Sequence, residues 1–284
     1  MIKLITVFDK HEDFIKIQYD TIIKHVKGEY EYIVFNNAST EEQANLNKSA
    51  CDELGVTCVR INVNYSSDAS NIAGDALNVS FGMLPNEKVF KIDSDMFFIS
   101  DININDLFIE SDLIYIPTYQ PNREIMWSGV FGINLSKIDI KLNFKPGVIP
   151  QTDTFGQSCL LTTNQNLNKK LFELYNLQNI DNDVYTTALN NDCVIKLNNN
   201  QIIFNERPEF YNNQEQLNNL PNIYNDMVIL LKQYDFPEPY NVDMIQINGI
   251  NSVFHFKSAN WCPWYTEKYV NEKKEALKRY LNNI

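Results

Sequence analysis

The first hundred residues alternate between short apolar runs and longer stretches whose apolar positions recur every three or four residues. Ile2–Phe8 is rich in β-branched residues and stops at Asp9, which predicts a strand. In His11–Val26 the residues Phe14, Ile15, Ile17, Ile22, Ile23 and Val26 fall at helical spacing, and Gly28 follows as a stop. Tyr30–Phe35 predicts a second strand, ending in Asn36-Asn37. Ser39-Thr40-Glu41-Glu42 has the form of a helix start, with carboxylates in the first turn where the helix dipole favours them. That helix is expected to run to Leu54 and to end at Gly55. Thr57–Val63 predicts a third strand, Ser70–Phe81 a third helix closed by Gly82, and Val89–Asp93 a fourth strand.

Strand and helix in regular alternation predict a parallel sheet covered on both faces. The expected class is α/β: a mixed, mainly parallel, Rossmann-like sheet flanked by helices. Such sheets bind ligands beyond the carboxyl ends of their strands. Asp9, Asn36-Asn37 and Asp93-Ser94-Asp95 all fall at such ends.

The second half is less regular. Leu113–Pro117 and Met126–Leu135 read as strands, the latter interrupted by Gly129 and Gly132, where strand glycines mark a close approach. A helix is expected to start near Asp153, another to cover Leu167–Leu177, and a continuation Asp181–Cys193. Ile202–Phe204 reads as a short strand, and Glu206–Pro221, dense in Asn and Gln, as a polar surface excursion. Ser252–Phe256 predicts a strand and Glu267–Leu281 a charged terminal helix. With no internal repeat and no linker, one domain over residues 1–284 is expected.

The chemistry concentrates in Lys88–Ser100, KVFKIDSDMFFIS. Asp93 and Asp95 stand one residue apart between apolar runs, and such a pair is costly to bury unless positive charge sits against it. Side-chain direction repeats every two residues along a strand, so both carboxylates point to similar sides. Hard oxygen ligands suit Mg²⁺ or Mn²⁺, with diphosphate oxygens completing the shell. The competing reading is that the two residues cap a strand and begin a turn, since the three-letter pattern is common.

A net charge of −12 and a pI near 4.7 argue against nucleic acid or an anionic membrane surface as partner. A nucleoside diphosphate would then need local positive charge. Five cysteines, an odd number without a CxxC pair, fit reduced thiols, with Cys51 and Cys58 either paired or free. The opening MIKLITVFD is too short an apolar run for a signal peptide, and no run approaches the roughly 18 residues of a membrane span. A soluble, cytoplasmic protein without a transmembrane anchor is the expectation.

Taken in order, these segments resemble the GT-A superfamily of nucleotide-sugar glycosyltransferases. Strand 1 ends in Val7-Phe8-Asp9. Asn71-Ile-Ala-Gly74-Asp75-Ala76-Leu-Asn78 is similar to the helix that precedes the metal strand in many such enzymes, and Asp93-Ser94-Asp95 to their DxD motif. His255-Phe256-Lys257-Ser258-Ala259-Asn260-Trp261 is similar to the late His-Phe segment of glycogenin-like enzymes, with Ser258 where that segment has Gly and Trp261 arriving early.

The resemblance implies a UDP-sugar donor, a Mn²⁺ or Mg²⁺ ion and a glycan or other hydroxyl acceptor. It implies a nucleotide- and metal-binding half over residues 1–100 and an acceptor half over residues 101–284, with Asp93, Asp95 and His255 as metal ligands. Val7, Phe8, Asp9 and Asn37 would serve the base, Asn71, Asp75 and Ser94 the ribose or diphosphate, and Lys257 a phosphate. Phe8 reads equally as plain core, and His255 as a strand histidine satisfied by a carbonyl. Two readings fit Asp153: a catalytic base on the acceptor hydroxyl, or a helix cap within Thr152-Asp153-Thr154. Trp127, Trp261 and Trp264 are candidates for sugar contacts or for core. The leading expectation is a metal-dependent glycosyltransferase. A sugar-phosphate nucleotidyltransferase and a non-catalytic carbohydrate- or nucleotide-binding protein are the alternatives.

Overall fold

A computed structural model describes residues 1–63, 69–120, 123–145, 158–180, 183–188, 194–198, 201–204, 214–238, 240–257 and 266–283. The chain divides into two compact units, Met1–Phe172 and Glu173–Ile284.

The first unit opens with β1 (Ile2–Phe8), α1 (Glu12–His25), a two-residue strand β2 (Val26–Lys27), β3 (Tyr30–Asn36), α2 (Glu41–Leu54) and β4 (Thr57–Arg60). It continues with α3 (Ala69–Gly82), β5 (Lys88–Ile92), β6 (Met96–Phe98), β7 (Ile102–Asn103) and the short α4 (Ile104–Leu107). β8 (Leu113–Gln120), β9 (Arg123–Asn134), the short α5 (Cys159–Thr162) and β10 (Lys169–Leu171) complete it. The boundaries in the first hundred residues follow the apolar pattern closely. Thr40 caps α2 as its form suggested, accepting a bond from the Gln43 amide at 3.2 Å, and Gly55 ends that helix at φ 67°.

The sheet runs β10-β8-β9-β5-β1-β3-β4. β1 is parallel to β3 and to β5, β3 to β4, and β8 to β10, while β9 is antiparallel to both neighbours. This is the mixed, mainly parallel sheet flanked by helices that the alternation predicts. The crossovers β1–α1–β3 and β3–α2–β4 step one way along the sheet, and β4–α3–β5 returns the other way. Right-handed connections therefore put α1 and α2 on one face and α3 on the other.

On the α3 face, Ala76, Leu77 and Phe81 pack with Ile5, Phe35, Phe131 and Phe144, the Phe81 and Phe144 rings 4.7 Å apart. Gly74 explains the run of small residues in α3. A Cβ there would lie 2.8 Å from the Lys145 Cα and 2.9 Å from the Phe144 oxygen, so the helix rests directly on backbone. The two strand glycines also have packing reasons. The Trp127 ring lies over Gly129, and Gly132 makes room for Phe108, Ile114 and Phe90.

The second unit is an antiparallel sheet with helices. It contains β11 (Glu173–Ile180), β12 (Asp183–Ala188), β13 (Val194–Asn198), β14 (Gln201–Phe204), α6 (Gln214–Gln233), β15 (Asn241–Ile247), β16 (Ile250–His255) and α7 (Glu267–Asn283). Its strands run β14-β13-β12-β11-β15-β16.

Here the structure corrects three expectations. Leu167–Leu177 is strand, not helix: it forms β10 and the start of β11. Its apolar residues also suit helical spacing, and what decides is a distant partner, with Tyr175 opposite Met244 and Leu177 opposite Val242. The expected helix over Asp181–Cys193 is, where described, the strand β12. The polar excursion ends in α6, whose Tyr224, Met227 and Leu231 are buried at helical spacing although Asn and Gln crowd the residues before them. β15 had no counterpart in the sequence reading. Asp153, Trp261, Trp264, Cys193 and Cys262 lie outside the described residues.

Candidate functional site

The strand order places a reversal between β1 and β5. From β1 the chain winds outward through β3 to β4, then returns by α3 to β5 on the opposite side of β1. In an open sheet of this kind the crevice beyond the carboxyl ends at such a reversal is where ligands bind. Asp9 follows β1 and Asp93-Ser94-Asp95 follows β5, so the two acidic stretches flank that point.

The turn after β5 is held from several directions. Buried Gln18 of α1 donates to the carbonyls of Asp93 and Met96, both at 2.8 Å, and accepts from the Tyr32 hydroxyl at 2.7 Å. The Met96 amide closes the turn onto the Asp93 carbonyl at 3.2 Å. Asp95 is buried at 8% exposure, whereas the Asp93 side chain is 40% exposed. The positive charge that such a pair demands comes from Lys91. Its ammonium is paired with Asp93 Oδ1, and its side chain is 3% exposed. It also donates to the Ser128 carbonyl at 2.5 Å and the Gly129 carbonyl at 3.3 Å, both on the adjacent strand β9.

At the neighbouring strand ends, Asp9 is exposed and its Oδ1 accepts from the Ser39 amide at 3.1 Å. Asn37 is buried: its amide donates to the Phe8 carbonyl at 2.7 Å and its Oδ1 accepts from the Val63 amide at 3.1 Å, tying three strand ends together. Phe8 is fully buried, so its ring serves the core, and Val7 packs on the α3-side cluster. Ser94 sits partly exposed within the turn. On α3, Asp75 is paired with Lys145 at 2.9 Å. Asn78 accepts from the Phe144 amide at 3.0 Å, so these two residues clamp the segment that lies against Gly74. Asn71 is partly exposed on the same helix.

In the second unit, His255 and Lys257 share one buried carboxylate. Asp243 is fully buried, with Oδ2 2.7 Å from His255 Nδ1 and Oδ1 3.1 Å from Lys257 Nζ. An aspartate on Nδ1 favours the tautomer whose lone pair is on Nε2, the arrangement that prepares a histidine to act as a ligand or acceptor. Buried Lys273 of α7 fixes the backbone beside it, donating to the Asn241 carbonyl at 2.9 Å and to the Phe256 carbonyl.

Two residues that matter here were not singled out from sequence. Lys91 had a signal, because it shares the two-residue spacing of Asp93 and Asp95. Gln18 had one too, as a polar residue in the Phe14–Ile15–Ile22 stripe of α1. Among the described residues no three His, Cys, Asp or Glu side chains converge as a ready-made metal cage. Two hard carboxylates at the end of β5 still fit a divalent cation that draws its remaining ligands from a diphosphate and water. No helix among the described residues is long and apolar enough to cross a membrane.

No family model and no curated protein matches the chain. Among solved structures it is similar to the mannosyltransferase PcManGT from Pyrobaculum calidifontis in complex with GDP-Man and Mn²⁺, with TM-score 0.43 and 11% identity over 60% of this chain and 54% of that one. It is also similar to S. aureus TarS 1-349 in complex with UDP, with TM-score 0.31 and 18% identity over 45% of this chain and 38% of that one. The chain thus spans about half of the first structure and less of the second. Likenesses this loose do not define a family for it.

Proposed function

We propose that the protein is a metal-dependent glycosyltransferase that takes a sugar from a nucleoside diphosphate, a UDP-sugar, to a hydroxyl acceptor on a glycan or other molecule. The observation that carries this is that Asp9 and Asp93-Ser94-Asp95 follow the adjacent parallel strands β1 and β5, at the reversal point of the sheet. The ordered resemblance of the surrounding segments to GT-A enzymes supports it.

In this reading Asp95 and Asp93 hold Mn²⁺ or Mg²⁺, which when bound supplies Lewis-acid stabilisation of the diphosphate leaving group. Gln18 keeps the turn that presents both carboxylates in one geometry, and Asn37 keeps the strand ends beside it in place. Exposed Asp9 would accept a hydrogen bond from a base, and Asn71 and Ser94 would offer polar groups to the ribose or phosphates. Residues 1–284 act as one catalytic module, with the acceptor served by residues beyond position 100. The roles of His255 as a ligand, Lys257 as a phosphate contact and Asp153 as acceptor-side base are tested singly, by His255→Ala, Lys257→Ala and Asp153→Asn.

The test is a thermal-shift series with UDP, GDP and their common sugar conjugates, with and without Mn²⁺. A ligand that binds only the native state raises the melting temperature by mass action. A Mn²⁺-dependent rise with UDP or one UDP-sugar, lost in Asp95→Asn, is expected. A folded sample that responds to no nucleotide, or an Asp95→Asn variant that transfers sugar undiminished, would overturn the proposal.

A further inference from the structure

We infer that Lys91 is a built-in counter-charge that keeps the Asp93–Asp95 pair from holding a divalent cation alone, so that cation and diphosphate are held only together. This rests on the glycosyltransferase reading and deepens it: the species recognised is the cation–diphosphate complex.

An ammonium carries three N–H donors. Those of Lys91 have Asp93 Oδ1 and the carbonyls of Ser128 and Gly129 as acceptors. Two of these acceptors are backbone atoms of β9, which lies antiparallel to β5 with Phe131 opposite Lys91. The Phe131 ring lies under the same ammonium, 5.9 Å from its centroid. Strand backbone and core thus pin the charge in place, and it does not move aside when the site fills. Asp93 and Asp95 contribute two negative charges and Lys91 returns one. A divalent cation arriving alone meets only the remainder, with a fixed positive charge against one of its ligands. A diphosphate brings further negative charge and oxygen ligands, which restores the attraction. At a separation of about 5 Å, one unit charge changes the affinity of a divalent cation by at least about tenfold, the value reached in bulk water.

Mn²⁺ binding to the full chain is measured by calorimetry and by the paramagnetic resonance signal of free Mn²⁺, with and without UDP, for the wild type, Lys91→Met and Lys91→Arg. The wild type should bind Mn²⁺ weakly alone and more tightly with UDP. Lys91→Met should bind Mn²⁺ alone at least about tenfold tighter and gain less from UDP, and Lys91→Arg should behave as wild type. Lys91→Gln, which keeps donors for the β9 carbonyls, serves if the methionine variant does not fold, with the same tightening expected. If Lys91 only props the turn, both neutral variants bind Mn²⁺ more weakly or unchanged, and the inference is overturned. It also fails if the wild type binds Mn²⁺ equally with and without UDP. A folded wild type that binds Mn²⁺ under neither condition would instead remove the glycosyltransferase reading, and the inference with it.

Discussion

Gln18 offers the sharpest test of how the acidic turn is built. Its amide sits on α1, fully buried, and makes hydrogen bonds to the Asp93 carbonyl, the Met96 carbonyl and the Tyr32 hydroxyl. Gln18→Leu keeps the side-chain volume and removes all of them. Each lost bond costs about 1 kcal/mol net, and a buried hydroxyl left without its partner costs about 1–3 kcal/mol. Tyr32 is such a hydroxyl: burial holds its pKa well above the ordinary tyrosine range, so it remains a neutral donor seeking an acceptor. The Asp93 carbonyl keeps the Met96 amide, which limits the loss there. Together these predict a destabilisation of roughly 3–5 kcal/mol, a large share of the roughly 5–15 kcal/mol typical of a folded domain. Urea unfolding of wild type, Gln18→Leu, Tyr32→Phe and the double variant measures it. Tyr32→Phe alone should cost about 1 kcal/mol, and the double variant less than the sum, because one bond is then counted twice. Amide exchange at Met96 should quicken in Gln18→Leu. A loss under about 1 kcal/mol with unchanged exchange at that amide would refute the idea that α1 braces the turn.

Two further outcomes follow from the same packing. Gly74→Val should destabilise the protein by about 1–3 kcal/mol, read as a lower melting temperature, because the new side chain meets the Phe144–Lys145 backbone rather than a movable side chain. An unchanged melting temperature would mean that α3 does not rest on that segment. Cys58 is held down to about 7, chiefly by a hydrogen bond from the Cys51 thiol and secondarily by Asn36, while that bond and burial push Cys51 far upward. The folded pKa of Cys58 lies below that of the unfolded chain, so its contribution to stability appears as pH rises from about 7 and is lost as pH falls through that value. Iodoacetamide labelling followed by mass spectrometry should show Cys58 reacting with a midpoint of about 7 and Cys51 inert. Cys51→Ala should move the midpoint up toward the roughly 8.5 of a free thiol. A wild-type midpoint already at that higher value would sink the assignment.

Most of what can be read along the chain lies in the first hundred residues. Apolar periodicity there decides which face of each element is buried, and caps such as Thr40 and Gly55 act within a few residues of themselves, so elements and their ends are legible locally. The adjacency of Asp93 and Asp95, and the need for a positive charge beside them, were equally legible, because strand alternation is a local rule. Tertiary structure decided the rest. That charge is Lys91, and only the pairing of β5 with β9 brings the Ser128 and Gly129 carbonyls to anchor it. Asn37 and Phe8, candidates for ligand contact when read along the chain, are turned inward by the joining of strand ends. The stretch from Leu167 to Leu177 fits a helix by spacing and became strand because distant segments offer partners: β8 for β10, and β15, some sixty residues later, for β11 across an antiparallel ladder. Hydrophobic pattern records what must be buried, whereas a β-ladder is settled by a partner that the pattern of one segment does not contain.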